Sequence, residues 1–147
     1  ELARGIDILT TAQRDVPGRH RSMAAVFDHS WSLLTEPQQA AFRRLSVFRG
    51  GWTSDAAEQV ASADAVMLAA LLDKTLIQRD ASGRWAMHEL VRQYAAEKLE
   101  GKPVATEAAR DRHCAYYCAA LQRFYSELKN TFNASEPGND DTEIDKN

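Results

Sequence analysis

Thr75-Leu76-Ile77-Gln78-Arg79-Asp80-Ala81-Ser82-Gly83-Arg84-Trp85-Ala86-Met87 is the stretch whose reading decides the fold. Thr75 to Arg79 reads as a strand, Asp80 to Gly83 as its turn, and Arg84 to Met87 alternates as the returning strand, which makes a β-hairpin. Both flanks read as helix. On the N-terminal side a helix follows Asp64 and carries Val66, Met67, Leu68, Leu71 and Leu72. On the C-terminal side a helix runs from Glu89 to about Leu99, turning Leu90, Val91, Tyr94 and Ala95 inward, until Gly101 and Pro103 stop it.

Working outward toward the N-terminus, a short helix is predicted from Ser54 to Val60, capped by Thr53 or Ser54. Before it, Val47-Phe48 reads as a short extended stretch ending at the Gly50-Gly51 turn. Thr35 and Gln38 have capping-box spacing and Pro37 sits in the tolerated first turn, so a helix should run to about Leu45 and bury Phe42 and Leu45. An earlier helix opens at Ser22, with Met23, Val26, Phe27, Trp31 and Leu34 on one face at helical spacing. Toward the C-terminus, the last helix is predicted from near Thr106 to roughly Asn130, with His113, Tyr117, Ala120, Leu121, Phe124 and Leu128 as its apolar face. Helix, helix, short strand, helices and hairpin is a winged helix-turn-helix layout in which the hairpin is the wing. The fold class is therefore mainly α, a winged-helix-like domain with one small β-hairpin followed by a long helix. Trp31, Trp52 and Trp85 fall on helix or strand periodicity and are expected to pack the core and hairpin.

Composition narrows the function classes. In 147 residues, 44% are hydrophobic and 27% charged, which is ordinary for a globular chain. The net charge of −3 gives no general attraction to nucleic acid and leaves room for local basic patches. No apolar run approaches the ~20 residues of a membrane span. Glu1-Leu2-Ala3-Arg4 lacks a signal-peptide layout and a starting Met, which fits a piece of a longer chain and equally a trimmed mature one; the expected location is cytoplasmic. Cys114 and Cys118 lie four apart on one predicted helix, which suits a shared packed face in a reducing compartment better than a disulfide.

Catalytic motifs are missing. Gly101-Lys102 is followed by Pro103 and has Ala96 where a phosphate loop needs its first Gly. His88-Glu89 is followed by Leu90, Val91 and Arg92, so the second histidine of a zinc-protease helix is lacking. His113, Cys114 and Cys118 fall short of the four ligands tetrahedral zinc takes. The expectation is no enzyme, no metal and no cofactor bound by this piece alone. Direct DNA contact is not expected either. The helix before a wing normally reads base edges, and Ala65-Val66-Met67-Leu68-Ala69-Ala70-Leu71-Leu72-Asp73 offers no side chain for that, with only Lys74 trailing it. Arg19, Arg21, Arg43, Arg44 and Arg49 read as loose basic groups on a solvated face. A DNA-binding winged helix and a pure interdomain scaffold stand as the alternatives.

Met87-His88-Glu89-Leu90-Val91-Arg92-Gln93-Tyr94-Ala95 resembles the Met-His-Asp motif that closes the winged-helix domain of NB-ARC and related STAND-type ATPases. The run from Arg19 to Leu34 and the stretches Leu45 to Trp52 and Leu72 to Ile77 are similar to the same proteins, in the same order. The likeness is closest to bacterial multidomain transcriptional regulators. It implies that residues 1–20 end a preceding helical domain and linker and that 21–101 form the winged helix. Residues 104–132 would be the first helix of a tetratricopeptide-like repeat region, and 133–147 a mobile, truncated acidic tail. The implied partners are the ATPase core and helical repeats of the same parent chain, with no membrane involved. The implied cofactor is ADP or ATP in the intact parent. The residue the resemblance assigns to nucleotide is His88, reaching the β-phosphate of ADP in the closed state, whereas its local chemistry alone reads as a cap of the helix that follows. Glu89 departs from the motif's usual Asp.

Overall fold

The structure, a computed structural model, describes residues 25–134. A helix over residues 25–32 (α1) is followed by α2 (Glu36–Leu45), α3 (Ser54–Ala61) and α4 (Ala65–Asp73). The hairpin strands β1 (Gln78–Arg79) and β2 (Trp85–Ala86), then α5 (Glu89–Glu100) and the long α6 (Pro103–Ala134), complete the chain. The expected mainly α fold with one small hairpin and a long last helix is what forms. The predicted helix start at Ser22, the reading of residues 1–20 and most of the 133–147 tail lie outside the described residues.

Local chemistry sets most of the boundaries. The Thr35 N–H donates to Gln38 Oε1 at 3.0 Å, and Pro37 occupies the first turn of α2. Thr53 Oγ1 accepts from the Ala56 N–H at 3.1 Å and Asp64 Oδ1 from Met67 at 2.8 Å, which caps α3 and α4. Asp80 organises the wing, accepting from the Ser82 and Arg84 backbone N–H groups, and Gly83 supplies the positive φ of 83° that closes the turn.

The extended segment of the winged helix is four residues later than the sequence suggests. Val47 and Phe48 donate their N–H groups to the carbonyls of Arg44 and Leu45, so they continue α2 as a turn and do not form a strand. The strand-like residue is Trp52, whose N–H and C=O exchange 2.8 Å hydrogen bonds with Trp85 and add a third edge to the hairpin. Gly51 permits this approach, since a Cβ there would lie 3.2 Å from the Trp85 carbonyl. The strand predicted from Thr75 also shortens. The Leu76 N–H reaches the Leu71 carbonyl at 3.1 Å and the Thr75 N–H reaches Leu72 at 2.8 Å, a Schellman closure of α4 with Thr75 left-handed at φ 56°. Pro103 opens α6 where it was expected only to close α5, because proline costs nothing in a helix's first turn.

The core lies between α2, α3, α4, α5 and the inner edge of the hairpin. Phe42, Leu45, Trp52, Val60, Leu68, Leu71 and Ile77 are fully enclosed. Phe48 and Trp52 stack with centroids 5.1 Å apart, and Trp31 meets Phe42 and Tyr94 at 6.0 and 6.3 Å. Tyr94 also donates to Asp28 at 2.5 Å, which ties α1 to α5. Burial and that carboxylate push the phenol well above its ordinary range. Val26, predicted on the buried face of α1, is instead exposed.

The first half of α6 packs onto this body through Thr106, Ala109, His113, Tyr116 and Tyr117, a helical i, i+3, i+4 series. Tyr116 donates to Asp55 on α3 at 2.7 Å, and His113 and Tyr117 lie against Phe48. The predicted continuation of that face does not pack. Leu121, Phe124 and Leu128 are 66%, 59% and 40% exposed, because α6 runs past the end of the body it rests on. Cys114 and Cys118, expected to be packed, are exposed as well. With 113, 116 and 117 turned inward, the 100° step of the helix swings 114 and 118 aside, where their sulfurs sit 3.9 Å apart.

Candidate functional site

His88 stands where β2 hands over to α5 and is the N-cap of that helix. Its backbone is extended (φ −59°, ψ 140°), and its carbonyl accepts from Arg92 at 2.9 Å, the first bond of the helix. The imidazole Nδ1 accepts from the Leu90 N–H at 3.3 Å and satisfies one of the orphan donors of the first turn. An imidazole that accepts at Nδ1 carries its proton on Nε2, so the exposed edge of the ring presents an N–H donor. Capping and donation are thus compatible in one side chain.

The residue after it is exposed and engaged along the helix. Glu89 takes two hydrogen bonds from Arg92, from Nε at 2.8 Å and from the guanidinium NH2 group at 2.6 Å, and a third from Gln93 at 3.1 Å. These donors hold its carboxyl at about 2, far below the usual carboxylate range. Arg92 is itself buried and donates its remaining nitrogen to the Ser46 carbonyl at 3.3 Å. The Glu89–Arg92 pair therefore fixes the start of α5 to the end of α2, and with it the position of His88. Sequence reading singled out His88 and the acid but not Arg92. Its three-residue spacing from Glu89 on one helix was the available signal.

The surface a winged helix would offer to DNA is apolar and acidic. On α4 the exposed residues are Ala65, Val66, Ala69, Leu72 and Asp73, with Asp64 at its start. Val66 is 78% exposed and Leu72 39%, although both were predicted with the apolar set of this helix; the short α4 buries only Leu68 and Leu71. The arginines of the wing are engaged locally. Arg79 lies over the Trp85 ring at 5.1 Å and donates to the Gly83 carbonyl, while Arg84 donates to the Gly51 carbonyl. Of the basic groups read as a solvated face, Arg43 is buried, lies over Trp31 at 5.4 Å and pairs with Glu36, and Arg44 is half-buried beside the Ala61 carbonyl. Arg49 is exposed, as expected, whereas Arg19 and Arg21 lie outside the described residues. Among the described residues no group of three or more His, Cys, Asp or Glu could hold a metal ion, and no helix is long and apolar enough to cross a membrane.

No protein-family model matches the chain. A protein of Mycobacterium tuberculosis named as an HTH-type transcriptional regulator is 35% identical over 133 residues, covering 81% of this chain and 15% of the relative. A protein of the same description in Mycobacterium bovis matches to the same extent. The regulatory protein AfsR of Streptomyces griseus is 34% identical over 118 residues, covering 71% of this chain and 12% of AfsR. The chain thus spans no more than 15% of the length of these relatives. With its helix order, three-edged hairpin and these likenesses, it is a winged-helix-like regulatory module related to segments of bacterial HTH-type transcriptional regulators and AfsR.

Proposed function

We propose that this module is a non-catalytic part of a longer transcriptional regulator and works by packing between that protein's other domains. The observation that carries the reading is the exposed side of α4, where a base-reading winged helix needs Arg, Lys, Asn or Gln and this chain has Ala65, Val66, Ala69 and Leu72. Exposed aliphatic side chains grouped on a helix favour a protein surface as their partner. The likeness to bacterial transcriptional regulators many times longer than this chain supports a place inside a multidomain protein.

The finer proposal is that the parent is a STAND/NB-ARC-type ATPase and that His88 senses its nucleotide. ADP or ATP would be supplied by the parent's ATPase core. The geometry of His88 fits that group: Nδ1 is used by the cap, which leaves Nε2–H to donate to a phosphate oxygen at a helix N-terminus, where the dipole also favours an anion. Switching would then be a rigid-body movement in which ADP favours the arrangement that brings His88 to its phosphate. Replacing His88 with Ala in the intact regulator tests this. Faster ADP release with raised basal activity is the expected result, and unchanged ADP retention contradicts it.

The second reading is a DNA-binding winged helix, favoured by the HTH-type description of the relatives. Fluorescence anisotropy with a random-sequence duplex at low salt separates the two. Packing predicts no salt-sensitive binding by this chain, whereas affinity falling steeply with added salt supports DNA contact.

A further inference from the structure

A cleft of about 220 Å³ lies along the seam where α6 rests on the winged-helix body, away from the outer face of α4. Three elements line it: the turn after α2 with Arg49, α5 with Arg92 and Glu100, and α6 with Thr106, Arg110 and His113. The volume is small, roughly seven water molecules at ~30 Å³ each. Its lining carries three guanidiniums and one carboxylate, Glu100, and with Arg92 matched by Glu89 the balance left is two guanidiniums against one carboxylate.

The three arginines are not equally occupied. Arg92 is spent on Glu89 and the Ser46 carbonyl. Arg49 makes no hydrogen bond or ion pair among the described residues, although it contributes to the field that lowers Glu89. Arg110 has no partner among the described residues, even with Glu107 one turn before it. His113 is half-buried between Phe48 and Tyr117, and that burial shifts it toward the neutral form, so it faces the cleft as a hydrogen-bonding group. Thr106 is not available, because its hydroxyl donates back to the Leu99 and Lys102 carbonyls. Arg49 from the winged-helix body and Arg110 from α6, neither hydrogen-bonded nor ion-paired among the described residues, both line this cleft and suit a small ligand with acceptor oxygens at both ends.

We propose that this cleft binds a small multivalent oxyanion, a phosphate ester or pyrophosphate-like group, which bridges Arg49 on the body and Arg110 on α6. Binding there stiffens the seam, because one wall belongs to the winged helix and the other to the helix leaving it. The site is distinct from His88 and stands whether or not His88 senses nucleotide.

The test is thermal unfolding of the 147-residue chain with inorganic pyrophosphate, against sodium chloride of equal ionic strength. At about ten times its Kd a ligand specific to the folded state should raise Tm by about 4 °C or more. Arg110→Gln and Arg49→Gln, both at exposed positions, should each reduce that shift at least twofold and leave the unliganded Tm within about 2 °C. Arg123→Gln, further along α6, and His88→Ala should leave the shift intact. No shift in the unsubstituted chain overturns the site, as does an undiminished shift in Arg110→Gln. Loss of the shift in His88→Ala would move the anion to α5 and overturn it too.

Discussion

The winged-helix body and the far half of α6 are built from similar residue types and end up in opposite situations. In the body, Trp52 is 1% exposed and stacked on Phe48, and Phe42, Leu45 and Leu68 are closed off from water entirely. In α6 beyond Ala120, Leu121, Phe124, Tyr125, Leu128 and Phe132 are at least 40% exposed. Only Thr106 and Ala109 of its 32 residues are buried, and both lie in the first turns. Helical periodicity makes a helix in both places. Burial occurs only where another element of the chain lies opposite. The difference teaches that stability and interaction capacity are separated along this chain: the body holds the fold, while the outer face of α4 and the end of α6 hold unspent apolar surface.

The largest expected effect is in the body. Trp52→Ala removes the stacked ring from a closed site and should cost about 3–5 kcal/mol in denaturant unfolding. Trp52→Phe should cost clearly less, because the indole Nε1–H is buried without an acceptor among the described residues and phenylalanine deletes that unmet donor. Equal losses would mean that an acceptor is present. A smaller effect of opposite sign is expected at the end of α4. Thr75 is left-handed with a branched side chain, so Thr75→Gly should stabilise by about 0.5–1 kcal/mol once glycine's own chain entropy is set against the relieved strain. Destabilisation would show that its hydroxyl bond to the Lys74 carbonyl matters more.

What was legible in the sequence follows the same division. Caps and turns were readable because their signals are local: Thr35 with Gln38, Thr53, Asp64 and Asp80-Ala81-Ser82-Gly83 all act within four residues of themselves. The hairpin and the helix order followed from them. The strand misplaced to Val47-Phe48 was not readable locally, since the choice between a turn and an extended edge is made by Trp85, more than thirty residues away. The exposure of Val66, Leu121 and Phe124 was hidden for the same reason, as amphipathic spacing states which face is apolar and not what covers it. At the candidate site the capping role of His88 was legible from its place between strand and helix, and its nucleotide role is read by resemblance alone. The Arg92 bridge to Ser46 that fixes its helix depends on a contact across the fold.

The Glu89–Arg92 tie gives a pH test that separates body from appendage. The carboxyl titrates near 2 in the folded chain, below its ordinary value of 4.5. Its stabilising contribution is therefore fully present above pH 4.5 and is lost as pH falls from there toward 2. The Tm of the unsubstituted chain should drop through that window, and Glu89→Gln should flatten that part of the profile. An unchanged slope in the variant would show that the pair does not hold the start of α5. The smallest effect belongs to the far half of α6. Leu121→Ala combined with Phe124→Ala should change stability by no more than about 0.5 kcal/mol for each substitution, since neither ring nor chain is buried. A larger loss would mean that these residues have a partner within the chain.

Amide hydrogen exchange, compared between this chain alone and the same segment inside the longer regulator proposed above, tests the central claim most directly. The account predicts equal protection for α2, α3 and α5, and new protection in the intact protein at α4 and along 121–134, where apolar surface is left bare. Exchange in α4 and 121–134 that is the same in both settings would contradict it, and the module would then not work by packing against the other domains.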